Sequence, residues 1–311
     1  MVRLYQRCKC SARESPPRHF AQANVCYRLG YYDLMAESLV AGLGCAGITP
    51  MERAELLGAL TNLLIDMGLL GTAEAVADLH EECRIGDFEL RRLQDFKRLD
   101  WQARIALRQH RFAEALRRFA SKRQQNPKPS DTRELAWLLY TAAWQQRETG
   151  SAPELPRYRD EVLQVLGSLS PDRPHRGNDH DAYLLRALAC CRWVTGDETL
   201  DAPLARWLPA VETGLGNRDP GPWAFAGCFL ALVDGRFAHL VPPVLESMKH
   251  ARYWLEIAGF AALGIDQMSE VAAMRKHEAI CQQVRASLAS WLESNGIKAD
   301  DDNICMSIPP L

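Results

Sequence analysis

At 311 residues, with 47% hydrophobic and 24% charged residues, the chain has ordinary globular composition and is long enough for one large solenoid or two domains. Its formal net charge of -2 excludes a global attraction to nucleic acid or to an acidic membrane surface. Met1 to Pro17 holds no apolar signal-peptide core, and the longest apolar run, Ala224 to Val233, is too short to span a bilayer, so a cytoplasmic protein is expected.

In chain order, helix-period apolar runs lie on either side of turns at Gly30, Gly68, His110, Gly150, Gly196 and Gly235. Gly suits such turns because a chain leaving a helix often needs a left-handed residue. His110 lacks that advantage, so a different turn geometry is expected there. Ala23 to Gly30 and Tyr32 to Leu43 make the first hairpin; Ala54 to Gly68 and Ala73 to Ala77 make the second. The third, Leu99 to Phe119, is the clearest.

Start signals support this division. Thr49, Pro50 and Glu52 form a capping box with Pro at the first helical position. Asp131 to Glu134 and Ser151 to Glu154 repeat the logic, and Asp201-Ala-Pro203 and Pro220 to Trp223 open further helices. Pro209, Pro242 and Pro243 predict short or kinked helices. No alternating strand pattern is present. The expected fold is all-α, an irregular array of antiparallel helical hairpins. It is organised as a flexible segment 1–17, hairpins over 18–170, a polar loop 171–180 and hairpins over 181–311 continuous with the same array.

The stretch from Trp101 to Pro127 resembles a tetratricopeptide repeat, with Ala103, Ala115, Phe119 and Pro127 at its small, small, aromatic and terminating-Pro positions. The first two hairpins share only Gly and Ala positions, and the spacing of about 38 to 46 residues exceeds the family's period of about 34. This resemblance implies a concave groove, lined by the first helix of each hairpin, that holds a peptide or partner protein. A second resemblance covers the C-terminal region. Glu246 to His250, Tyr253, Phe260 to Gly264, a long helix, Gly296-Ile297 and the Pro309-Pro310-Leu311 ending are similar to a helical immunity-protein family that accompanies polymorphic toxins of bacterial secretion systems. It implies a cytoplasmic inhibitor that binds a cognate toxin.

Between Arg91 and Lys128, twelve cations face only Asp95, Asp100 and Glu114, so compensating acid must lie elsewhere in the chain. Arg104, Arg108 and Arg111 fall on one helical stripe, which an acidic protein or peptide could use. Nucleic acid is the weaker partner because no recognised binding motif is present. The plainer reading of the stripe is a solvated face. Trp137, Tyr140, Thr141 and Trp144 line one helical face, and with Trp101 they are either anchors for a partner or core between hairpins.

Other candidates are thinner. His175, Asp179 and His180 share a polar loop that could hold a metal or a base, with a plain connecting loop as the alternative. Cys8, Cys10 and His19 have poor zinc spacing, and His80 with Cys83 lacks a second pair. Cys190 and Cys191 diverge on a helix. The ten cysteines fall largely in apolar patterns and read as reduced thiols. No Gly-rich phosphate loop, nucleophile elbow or His-Glu-x-x-His helix occurs. A non-enzymatic binding scaffold without cofactor or metal is therefore expected, with a peptide-binding adaptor or an enzyme using the His175–His180 loop as alternatives.

Overall fold

The computed structural model describes residues 15–83, 85–125, 132–171, 180–215, 221–265 and 268–298. Among them the chain forms fifteen α-helices, two short 3-10 helices and no strand. The helices are α1 (Pro16–Arg28), α2 (Tyr32–Leu43), α3 (Pro50–Asp66), α4 (Leu70–Glu81), α5 (Phe88–Arg108), α6 (Phe112–Gln125), α7 (Arg133–Thr149) and α8 (Leu155–Ser168). They continue as α9 (His180–Thr195), α10 (Asp201–Arg206), α11 (Leu208–Leu215), α12 (Gly221–Val233), α13 (Val241–His250), α14 (Trp254–Ala262) and α15 (Glu270–Ser294).

The hairpin turns have a common backbone cause. Gly30 and Gly68 take φ of 69° and 75°, and the residue after each donates back across the turn, Tyr31 N to Cys26 O and Leu69 N to Leu64 O, both at 2.9 Å. His110 has φ 60° and is followed by the same bond, Arg111 N to Ala106 O at 2.8 Å. The expected difference at this turn is thus not found; His110 adopts the glycine-like geometry despite its Cβ. Gly235 instead opens a 3-10 helix that Asp234 caps. At the other end of a helix, the Thr49–Glu52 capping box closes as read from the sequence. Ser151 does not cap α8, which begins at Leu155. The prolines sit in the first turns of the short helices α11 and α13, where their missing N–H costs nothing.

Two compact units result. Unit 1 holds the described residues up to Trp101 together with those from Lys276 on; unit 2 holds Gln102 to Arg275. In unit 1 the pairs α1–α2 and α3–α4 pack as hairpins. The part of α15 in this unit buries a stripe of His277, Cys281, Val284, Leu288 and Leu292. His277 Nε2 donates to Met67 O at 2.9 Å, so the turn after α3 is tied to a helix 210 residues later.

Unit 2 is layered. Residues Glu134–Trp144 of α7, Leu184–Cys191 of α9 and Trp223–Leu230 of α12 are all buried, as expected of helices that are apolar all round and must lie inside. Their flanking neighbours bury one stripe each: Phe112, Ala115 and Phe119 on α6; Leu155, Tyr158, Val162 and Leu166 on α8; Val241, Val244 and Met248 on α13. Close approach is built in at Gly214, where a Cβ would lie 2.3 Å from the Trp223 ring.

Candidate functional site

The charge-biased hairpin of unit 2, Gln102–Gln125, sorts its cations by depth. Arg111 and Arg117 are exposed and Arg104 is half-buried, but Arg108 is only 4% exposed. The outward stripe of Arg104, Arg108 and Arg111 is therefore broken at its centre. The end of α5 buries Ala103, Ile105, Ala106 and Leu107 around Arg108, so this turn of helix has almost no solvent face.

Part of the cationic excess is answered by Glu114, already within the segment, and part by acids from other helices. Arg111 and Arg118 close on Glu114 at 2.7 and 2.6 Å. The Arg118 hydrogen bond is the main reason that the Glu114 carboxyl is held below the usual carboxylate range. Two cations of α6 meet carboxylates from later helices, Lys122 on Glu134 at 2.8 Å and Arg123 on Glu161 at 2.7 Å. In unit 1, Arg98 takes Glu81 at 2.8 Å. The hairpin is less polarised than its sequence implies: Arg117 is exposed, Arg111 is exposed but paired with Glu114, and Arg104 is half-buried.

The aromatic candidates are core. Trp137 stacks on Phe119 with centroids 5.1 Å apart, and Tyr140 meets Trp144 and Phe229 edge-on at 6.1 and 5.9 Å. Thr141 is equally buried. Because α7 is covered on every side, its aromatic face is spent on neighbouring helices and does not line a groove. Trp101 belongs to the core of unit 1, edge-on to His80 at 4.9 Å and against Gly58, where a Cβ would sit 2.8 Å from the ring.

The most unusual group of the molecule is Arg186 on α9, which is 0% exposed. Its guanidinium carbon lies 4.4 Å from the Phe225 centroid, 5.5 Å from that of Tyr140 and 6.0 Å from that of Phe229. None of Nε, Nη1 and Nη2 has a hydrogen-bond partner among the described residues. Of the buried carboxylates in unit 2, Glu134 is engaged with Lys122, and neither Asp181 nor Glu256 pairs with Arg186. Burial holds the nearby Cys190 and Cys228 thiols and the Tyr140 hydroxyl far above their ordinary pKa values, so all three are neutral. Burial also lowers the pKa of Arg186, yet a guanidinium remains a cation. The sequence signal is a lone charge inside the apolar run Leu184 to Cys191.

A second arrangement unforeseen from sequence is the pair His277 and Cys281, with Sγ 3.2 Å from Nε2. Burial pushes this thiol up to about 12, so it is not the thiolate that a nucleophile needs. Its S–H points to Met67 O at 3.6 Å, and the pair acts as a structural tie. His80 turns to Gln94, Nε2 to Oε1 at 3.0 Å, whereas Cys83 donates to Leu79 O. Cys190 and Cys191 are buried free thiols. His175, Asp179, Cys8 and Cys10 lie outside the described residues, and His180 marks the start of α9. No helix among the described residues is long and apolar enough to cross a membrane. No protein-family model, curated protein or solved structure matches the chain.

Proposed function

We propose that the chain is a non-enzymatic scaffold that binds another protein, and that its role is that of an immunity-type inhibitor of a cognate bacterial toxin. The carrying observation is the sorting of cations in the Gln102–Gln125 hairpin. Arg108 and Lys122 turn inward, whereas Arg117 and the Glu114-paired Arg111 are exposed and Arg104 is half-buried. Guanidinium groups in that position attract an acidic surface, speed its encounter and offer two-point hydrogen bonds to carboxylates. Unit 1 separately exposes Phe88, Leu90 and Leu93 within two turns of α5, with Phe88 at 73%. Leu90 and Leu93 share a side of the helix and Phe88 lies on another, and large apolar side chains left in water favour a protein contact. The burial of α7 withholds its aromatic face from a peptide groove, which favours the inhibitor reading over the adaptor. An inhibitor that covers a toxin's active site requires no chemistry of its own.

The test is a calorimetric titration with the product of the adjacent upstream gene, comparing the wild type with Arg104→Glu, Arg111→Glu and Arg117→Glu combined. Binding is expected to weaken by about tenfold or more and to lose most of its salt dependence. Co-expression should protect growth with the wild type and fail with the variant. Unchanged binding would move the contact off this hairpin, and the lack of both complex and protection would end the inhibitor reading.

A further inference from the structure

We propose that the compartment around Arg186 in unit 2 is a binding site for a small monocarboxylate with an apolar body. The first argument is the unmatched donor set. A guanidinium presents five N–H donors in a planar fork, and here all three nitrogens are sealed from water without a protein acceptor. Ring faces offset part of the lost hydration, since Phe225, Tyr140 and Phe229 all lie within 6.0 Å. They attract the cation through its faces and leave the in-plane N–H groups unsatisfied. A buried charge in that condition is costly, and an anion that accepts two parallel hydrogen bonds removes the deficit.

The second argument is charge balance. Cys190, Cys228 and Tyr140 are neutral, Arg108 and Arg147 add positive potential at Tyr140 and Cys190, and no buried carboxylate reaches the guanidinium, so its positive charge is uncompensated. A monoanion neutralises it, whereas a phosphate dianion would replace one uncompensated charge by another. The third argument is the lining. Phe225 and Phe229 lead on to Phe260, at 6.3 and 5.1 Å, and Phe229 to Trp193 at 6.1 Å. These rings are packed against one another, so a ligand enters only where they part, and such surroundings favour an apolar body behind the carboxylate over a strongly hydrated ion. Because Arg186 is fully enclosed, access requires a local opening of the helices, and binding should be slow.

The experiment is thermal unfolding of the full chain with sodium benzoate or sodium hexanoate, at constant ionic strength and after short and long incubation. Benzyl alcohol, 1-hexanol and inorganic phosphate are the comparison solutes. Either carboxylate should raise Tm saturably, more after long incubation; the alcohols and phosphate should not. Arg186→Met should abolish the response. Should that variant fail to fold, equilibrium dialysis of radiolabelled benzoate against Arg186→Lys gives the answer, because a point charge without the planar fork should bind at least several-fold more weakly. A wild-type response that is absent, matched by the alcohols, or retained in Arg186→Met or Arg186→Lys overturns the proposal. Absence would assign Arg186 to its ring contacts alone.

Discussion

The seam between α6 and α7 and the centre of unit 2 at α9 each bury a long cationic side chain, and they accommodate it in opposite ways. Lys122 meets Glu134 at 2.8 Å, with the two side chains only 5% and 2% exposed. Arg186 meets ring faces and no anion. The side chains suit their places. An ammonium is compact and strongly hydrated and needs a counter-charge once dry, whereas a guanidinium is planar, weakly hydrated and able to lie on an aromatic face. A buried cation is thus not one kind of feature. At the seam the charges hold each other; at α9 the charge is tolerated.

The largest effect should come from unmatching the seam. Glu134→Ala takes from the buried Lys122 its carboxylate at 2.8 Å, and is expected to cost about 3–5 kcal/mol by urea denaturation. Adding Lys122→Met should restore most of the loss, because an apolar pair of similar volume has no desolvation penalty. A single-variant cost below about 1 kcal/mol would mean that the ammonium reaches water and that the contrast with Arg186 is misdrawn. The opposite sign is expected at α9. Arg186→Met keeps the length and the apolar contacts, removes the stranded charge, and should leave stability unchanged or raise it by about 1–4 kcal/mol. Were it to destabilise as much as Glu134→Ala, the ring contacts would be holding the core together. A residue whose removal stabilises the fold is one retained for a different task, which is how the carboxylate site and this stability measurement bear on each other.

The two regions were unequally legible in the sequence. Period, caps and glycine turns gave the helices, because each depends on a few adjacent residues; Gly30, Gly68, Gly150 and Gly196 all take positive φ as their positions implied. Even His110 sat where the pattern placed a turn. Which face of a helix points inward is decided by distant chain, and here local spacing ran out. Arg104, Arg108 and Arg111 share a stripe on any helix, but Arg108 is buried with Ala106 and Leu107. Trp137, Tyr140 and Trp144 had two readings until Phe119 and Phe229 were seen to cover them. Glu134 and Glu161 are acids with no sequence mark to say that they would neutralise α6. Arg186 left a trace, a charge in an apolar run, but only the packing of α7, α9 and α12 reveals that nothing answers it.

His80 in unit 1 shows a third way to bury a base, which is to keep it neutral. Its ring is 4% exposed, packs edge-on against Trp101 and shares one nitrogen with Gln94. Burial is the main cause that lowers its pKa, Lys97 and Arg98 act in the same direction, and the Gln94 hydrogen bond and Glu81 oppose them. The folded state therefore takes up a proton less readily than the unfolded chain, whose histidine titrates near about 6.5. Stability from the neutral ring is fully present above that value and declines as pH falls through it towards the lower folded value. Urea midpoints measured at falling pH should drop from near-neutral conditions into the mildly acidic range, by less than Glu134→Ala lowers them. His80→Gln, which cannot titrate and can still bond Gln94, should flatten that part of the profile. If the variant and the wild type decline together, the acid sensitivity belongs to other groups, and the core tolerates His80 in either charge state.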